Sequence, residues 1–408
     1  MMRSMQAAVS GLQMHQMAMD AIGNNIANVS TPGYKSSTVD FAELFTQTLQ
    51  GATAPTPTSG GIAPAQIGLG VGLGGIDVNT TQGSLQVTGN NLDLAIQGDG
   101  YFVLKNGAGQ QVYSRVGNFS IDASGHLVQK GTGDLVLGWA ATNGTVPSTS
   151  SQPTSLTIPL DTTVVPTATT GISFAGNLNA LTASGTTVVV AEQVYDSLGN
   201  TQTVNLTFTA TATPGSWTWS AGTSPTFTGV GTITFSSSGA YTGVTGATIT
   251  SAATMADGAT SMTITPDFSA MTEYAQANTA AAPTQNGSAA GSLQTETVDQ
   301  NGVVTGSFTN GKTEALGQVA MAAFANPSGL LQTSDGLMMQ SNDSGTAQIG
   351  SANSAGRGQI QPGSLEGSNV DLSTEFADMI QIERGYEANA KVITTANQML
   401  QTLNQMVQ

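Results

Sequence analysis

The sequence predicts an α+β multidomain chain, with N- and C-terminal helices paired as a coiled-coil-like domain around two nested, mainly-β domains. Three observations carry this. Apolar residues recur at helical spacing at both ends of the 408-residue chain. Between them the period falls to two, and Gly, Asn and Asp break the runs. Within that body, composition shifts near Ala140 to Thr, Ser, Ala and Gly. The boundaries that follow are 1–32 plus 366–408 for the helices, 33–75 for an extended linker, 76–140 plus 286–365 for an inner β domain, and 141–285 for an outer, inserted one.

The C-terminal helix has the strongest signal. Met379, Tyr386, Ile393, Leu400 and Val407 recur every seven residues, and Ile382, Asn389, Ala396 and Leu403 fill the position three later in each heptad. Asn369 or Asp371 can cap its start, and Glu375 and Asp378 suit the positive end of a helix dipole. Such a stripe needs a partner to bury it. The N-terminal segment offers one in Met5, Val9, Leu12, Met19, Ile22, Ile26 and Val29, before Thr31-Pro32-Gly33 stops the helix. The assembly seam therefore reads as Met5, Val9, Leu12, Ile22 and Ile26 on one helix, with Met379, Ile382, Tyr386, Ile393, Leu400 and Leu403 on the other. Ser, Gln, His and Asp interrupt the first segment before the roughly 7 apolar residues of a cleaved export signal accumulate. No run approaches the roughly 18 apolar residues of a membrane span.

In chain order, residues 33–75 are poor in charge and rich in Gly, Pro, Thr and Ala, which reads as a linker. Phe41, Leu44, Phe45 and Leu49 suggest a short amphipathic piece within it. Strands are expected at 92–96, 101–104, 119–121, 127–128 and 135–137, then at 186–190, 202–209, 231–235 and 261–265, and finally at 294–298, 303–308 and 317–324. Asn-Gly pairs at Asn106, Asn143, Asn286, Asn301 and Asn310 mark hairpin turns. If the end helices pair, residues 76–140 and 286–360 come together and the Thr-rich segment becomes an insertion.

Composition excludes several functions. Lys plus Arg is 9 against 25 Asp plus Glu, and no basic residue lies between Lys130 and Lys312, so neutralising nucleic-acid phosphate or an anionic membrane surface is not expected. With no Cys, thiolate metal sites, disulfides and a thiol nucleophile are ruled out. His15 and His126 fall in different elements, which leaves no His-based triad and no metal or cofactor site to expect. Gly306 to Thr313 matches a phosphate-binding loop literally, but alternating residues before it and Asn310-Gly311 within it favour a hairpin. Gly70-x-Gly72-x-x-Gly75 matches a dinucleotide fingerprint, yet leads into strand-like Ile76-Asp77-Val78. Asp99, between two glycines, reads as a turn.

Four runs carry a resemblance: GNNIANVSTPGYK at 23–35, QGDGYF at 97–102, YSRVGNFSIDASGHLV at 113–128, and LEGSNVDLSTEFADMIQIERGYEANAKVITTANQMLQTLNQM at 365–406. Together they resemble the bacterial flagellar axial proteins of the rod and hook. In the first run the family motif falls on Asn24, Asn25, Asn28, Pro32, Gly33 and Tyr34. The inserted domain and the run GQVAMAAFANPSGL at 317–330 are similar to hook members, while the Gly-rich run at 68–75 is also similar to rod members. The resemblance implies a non-enzymatic structural subunit without cofactor, polymerising into a curved flexible tube that transmits motor torque. It implies export through the flagellar type III apparatus without a cleaved signal, and an extracellular place in the flagellum. The implied partners are further copies of the chain, the distal rod protein, the hook cap and the hook–filament junction protein. The distal rod protein itself is the alternative reading. A secreted β-rich adhesin with a coiled-coil stalk would explain the Thr-rich strands, but not amphipathic helices at both ends without a signal peptide.

Overall fold

The computed structural model describes the chain except for Met1, Thr53, residues 56–59, Asn143, 148–150, 161–162, 223–226, Ala247, 253–257, Val407 and Gln408. The expected seam residue Val407 and the turn signal at Asn143 therefore lie outside the described residues. The chain forms two compact units, one of Met1–Ile158, Thr297–Thr305 and Ala315–Gln408, the other of Pro159–Glu296 and Gly306–Glu314.

Helix α1 (Met2–Ala27) and helix α2 (Leu372–Met406) both belong to the first unit. Asp371 takes the cap of α2, its Oδ1 accepting the Ser373 amide at 2.9 Å; Asn369 is used elsewhere. The segment expected as a linker is instead paired strand. Ser37–Glu43 runs antiparallel to Val71–Val78, and Thr46–Gln50 to Ala65–Gly68. Phe41, Leu44, Phe45 and Leu49 do not form an amphipathic piece; all four side chains are exposed, Phe45 at 75%. Low charge and high Gly content masked alternating residues that have no single core to face, so the period-two signal was lost.

The β body of this unit is a sheet closed from distant segments. Tyr101–Lys105 pairs with Gln111–Ser114, with Leu135–Ala140 and with Met321–Ala323. Leu135–Ala140 pairs in turn with Thr313–Val319, with Trp139 opposite Gln318. The run expected as one strand at 317–324 thus breaks at Ala320 and changes partner. Tyr101, Val103, Tyr113, Leu137, Trp139 and Phe324 fill the core, Tyr113 meeting Phe324 edge-on at 4.8 Å. Gly117 is required where the Leu94 carbonyl and the Phe102 ring would meet any Cβ. Two further pairings, Ile96 with Ile360 and Gln86 with Leu365, bring the chain back toward the start of α2.

The second unit packs two sheets around aromatic side chains. Thr187–Tyr195, Thr201–Ala210, Ser216–Gly222, Gly229–Phe235 and Tyr241–Thr245 form a five-stranded antiparallel meander. The other sheet has four strands and contains a parallel pair, Gly171–Asn179 beside Thr263–Tyr274. In Thr201–Ala210 the residues Val204, Leu206, Phe208 and Ala210 point inward while the intervening Thr and Asn do not, the alternation expected of a half-buried strand. Phe268 is buried against Phe174, Phe208 and Trp219.

The unit begins at Pro159, not at the expected 141, because residues 141–158 remain with the first unit. There Thr154–Ser155 pairs with Leu135–Ala140, and Leu156 and Ile158 are fully buried. At the other end the unit extends past 285, with Thr167 bridging Ser288 and Val164 bridging Gly291. Gly306 to Thr313 is a hairpin turn, Gly311 adopting φ +76° and the Phe308 amide bonding the Lys312 carbonyl, so no helix follows to cradle a phosphate. Gly72 and Gly75 sit within strand Val71–Val78, which removes the dinucleotide match.

Phe268→Ala should lower the stability of the second unit by about 3–5 kcal/mol through the cavity it leaves, read as a lower urea midpoint in Trp217 and Trp219 fluorescence; an unchanged midpoint would contradict this core.

Candidate assembly site

The helices meet antiparallel. A Cβ on Gly11 would touch Asn389, one on Gly385 would touch His15, and Asn25 Nδ2 donates to the Glu375 carboxylate at 3.1 and 3.2 Å, so numbering falls along one helix as it rises along the other. The face that α1 buries is Ala8, Gly11, Met14, Ala18, Ile22 and Asn25. Steps of three and four with small side chains let two backbones approach closely.

This face coincides only in part with the one expected from the large apolar residues. Of the N-terminal seam, Ile22 is buried, Met5, Leu12 and Ile26 are half-buried, and Val9 is exposed. On α2, Met379, Ile382 and Ile393 are half-buried, whereas Tyr386, Leu400 and Leu403 are exposed, and Ala396 alone is buried among the described residues. The heptad positions Asn389 and Ala396 do lie on the contact side, whereas apolar periodicity gave no weight to Ala8, Gly11 and Ala18 on α1. Phe376, Ile380, Val392, Met399 and Met406 are exposed on α2 as well.

Below the helices lies a buried polar junction built from the family motif. Asn25, 1% exposed, is its first hub. Its Nδ2 donates to the Ser37 carbonyl at 2.9 Å, and its Oδ1 accepts the Ser37 amide at 3.0 Å and the Tyr34 hydroxyl at 3.1 Å. Asn24 and Asn28 bond each other on the exposed last turn, and Thr31 donates to Asn28. Past Pro32, Gly33 turns at φ +69° against Val116, and its amide bonds the Glu366 carbonyl at 2.8 Å. The Tyr34 hydroxyl has its pKa raised, first by burial and then by the Glu375 carboxylate.

Glu366 is the second hub, and sequence reasoning gave it no role. Lys35 Nζ donates to Glu366 Oε1 at 2.7 Å and to the Thr81 carbonyl at 2.7 Å, and the Gly83 amide reaches the same carboxylate oxygen at 2.9 Å. Arg115 Nε stands 3.6 Å from Glu366 Oε2, an ion pair without a hydrogen bond, while Nη1 donates to the Gly98 carbonyl and the guanidinium lies over the Tyr101 ring. Burial lowers the pKa of Lys35, and the bond to Glu366 opposes that shift. Burial raises the Tyr101 pKa, with Arg115 countering. Asn369 completes the junction, accepting the Ser36 amide at 2.8 Å and donating to the Asn79 carbonyl at 2.8 Å. The signal available in sequence was scarcity: in a chain with 9 Lys and Arg, four fall inside the matched runs, and Lys35 and Arg115 among them lie outside the helices, which invites the question of what holds them.

The histidines stay apart. His126 Nδ1 pairs with the Thr157 hydroxyl at 3.0 Å, while His15 meets Phe41 edge-on between the helices and strand Ser37–Glu43. Among the described residues no cluster of His, Asp and Glu could hold a metal ion, and no helix is long and apolar enough to cross a membrane.

Comparison with known proteins places these features in one lineage. Residues 5–35 match the flagella basal body rod protein model, 95–177 the flagellar hook protein FlgE/F/G D1 domain, 159–288 the flagellar basal body protein FlaE D2 domain, and 361–406 the flagellar basal body rod FlgEFG protein C-terminal model. The flagellar hook protein FlgE of Treponema pallidum is 35% identical over 99% of this chain and 99% of its own. The chain belongs to the flagellar hook protein family. The Borreliella burgdorferi hook protein is likewise 35% identical over 99% of both chains. In fold, the chain is similar to the crystal structure of the Helicobacter pylori flagellar hook protein FlgE2, with a TM-score of 0.50 over 68% of this chain and 99% of that one at 16% identity. Two of the matches reach into the junction, since Lys35 ends the first and Glu366 falls in the last.

Removing one partner of the buried pair should be costly: Lys35→Met is expected to destabilise the first unit by about 3–5 kcal/mol. Adding Glu366→Leu should not recover that loss, because it also strips buried Arg115 of its counter-charge and the Gly83 amide of its acceptor; urea unfolding followed by circular dichroism tests both.

Proposed function

We propose that this structural subunit of the bacterial flagellar hook polymerises into a curved, flexible tube, the universal joint that carries motor torque from rod to filament. The observation that carries this reading is the apolar stripe on α2 left uncovered in the single chain. Leu400, Leu403, Met399 and Phe376 are exposed on a helix whose family relation makes self-assembly its expected fate. Covering each such side chain is worth about 1.5–3 kcal/mol, enough in repetition to drive a polymer.

In this reading α1 and α2 of neighbouring copies form a coiled-coil-like inner layer. Met5, Val9, Leu12 and Ile26 work with Met379, Ile382, Tyr386, Ile393, Leu400 and Leu403 as the seam between copies, and the inserted β unit is nested outward. The subunit leaves the cell through the flagellar type III apparatus without a cleaved signal. It assembles under the hook cap, on the distal rod protein and beneath the hook–filament junction protein. The Thr-rich strands of the second unit offer a surface of hydroxyls with few charges. Contacts made through it can slide and exchange at little cost, as a bending joint needs. The role is structural, with no cofactor and no catalysis.

Leu400→Asp should leave the isolated chain folded, because the residue is exposed, but abolish hook formation; normal hooks in electron micrographs of that strain would refute the seam. Cells lacking the protein should carry complete rods without hook or filament. Basal bodies that stop short of a finished rod would favour the distal rod alternative.

A further inference from the structure

The Asn-Gly pairs that mark turns are also places where an asparagine side chain can react with its own backbone. The next amide nitrogen can close a five-membered ring on the asparagine Cγ, and glycine has no side chain to crowd it. The structure treats the pairs at Asn106, Asn286, Asn301 and Asn310 differently. Asn286 is locked: its Nδ2 donates to the Thr170 hydroxyl at 2.8 Å, its Oδ1 accepts the Thr170 and Gly171 amides, and Gln285 Oε1 takes the Gly287 amide. Asn310 is locked as well, with Nδ2 on the Ala289 carbonyl at 2.9 Å, Oδ1 on the Lys312 amide at 3.1 Å and the Gly311 amide on the Phe308 carbonyl. At Asn301 the nucleophile is tied up, since the Gly302 amide bonds the Asp299 carbonyl at 3.0 Å. Asn106 is the exception. Its backbone is anchored at both ends, the amide to the Gln110 carbonyl at 3.0 Å and the carbonyl to the Gly109 amide at 2.8 Å. Its side-chain Oδ1 accepts the Ala108 and Gln110 amides at 3.1 and 2.9 Å. Neither its Nδ2 nor the Gly107 amide has a partner among the described residues. A Cβ on Gly107 would meet nothing within 4 Å.

We propose that Asn106-Gly107 is a self-modification site, where asparagine converts to aspartate or isoaspartate faster than at the other three pairs. The Gly107 nitrogen gives its proton to solvent hydroxide and bonds to Asn106 Cγ. The carbonyl electron pair moves onto Oδ1, where the Ala108 and Gln110 amides hold the charge. As that pair returns, the Cγ–Nδ2 bond breaks, and Nδ2 takes a proton from water and leaves as ammonia. Water then opens the cyclic imide at either carbonyl to give aspartate or isoaspartate. Two amides fixed at oxyanion-hole distance favour the charged intermediate over the neutral side chain, so they lower the barrier as well as holding the reactant. The free nitrogens on either side leave attack and departure unopposed. Each event adds one negative charge to the turn joining Tyr101–Lys105 to Gln111–Ser114, and the isoaspartate product adds one methylene to its backbone.

Peptide mapping by mass spectrometry tests this on the purified full-length chain, aged in mildly alkaline buffer both folded and in urea. In the folded chain Asn106 should convert first, with Asn286, Asn301 and Asn310 at least about tenfold slower, a barrier difference of about 1.4 kcal/mol or more. In urea, where the turns are gone, the four rates should draw together. Gly107 lies outside the left-handed region and faces open space, so Gly107→Ala should keep the parental melting temperature while slowing conversion at Asn106 several-fold. The proposal is overturned if Asn106 stays unconverted in the folded chain, or if any of the other three keeps pace with it there. An Asn106 lead that persists undiminished in urea would overturn it too, because local sequence and not the folded turn would then set the rate.

Discussion

A single carboxylate, that of Glu366, is the point on which the first unit depends. It is fully buried, it faces two cations, and it accepts an amide from a third segment. Burying an ion pair is seldom a net gain over packing apolar groups, so stability alone does not explain it. What the pair supplies is a unique arrangement. Lys35 can reach Thr81 and Glu366 together only if the exit of α1, the turn near Gly83 and the approach to α2 are all in register. Asn25 and Asn369 repeat that logic on either side, each using one short amide to hold two or three backbone groups. The helices are therefore aimed by the junction, which leaves their outer faces uncommitted.

That division of labour matters for a protein that must be both a folded unit and a building block. The antiparallel contact between α1 and α2 uses Gly11, Gly385 and Asn389, residues that allow approach but bury little apolar area. The larger side chains, Tyr386, Leu400 and Leu403, remain available. The second unit is the opposite case. Its aromatic core of Phe174, Phe208, Phe268, Trp217 and Trp219 is closed by its own two sheets, and its outward positions are largely hydroxyl-bearing.

Much of this was legible in the sequence. The helical spacing at both ends, the capping carboxylate of Asp371 and the alternation of Thr201–Ala210 are all local signals, and the two helices, the cap and the strand are present in the structure. The misses share a cause. The linker reading of 33–75 failed because Ser37–Glu43 and Val71–Val78 are partners separated by a long excursion, and neither has a buried face to advertise itself. The seam expected on Met5, Val9, Leu12, Ile22 and Ile26 shares only Ile22 with the fully buried face of α1, because periodicity counts apolar mass, whereas that face also takes in the small residues Ala8, Gly11 and Ala18. Lys35 and Glu366 were invisible as a pair because nothing near Lys35 announces a carboxylate 331 positions away.

That separation also orders events in time. A contact between positions 35 and 366, like the one between Asn25 and Glu375 at a separation of 350, cannot exist while the chain is still being synthesised from its N-terminus. Until the last tenth or so of the polypeptide arrives, Lys35 has no counter-ion and α1 has no fixed direction, and closing so long a loop is entropically slow. The β unit in the middle has no such dependence and can fold as soon as its own residues are present. The last part of the protein to emerge is thus the part that commits the first.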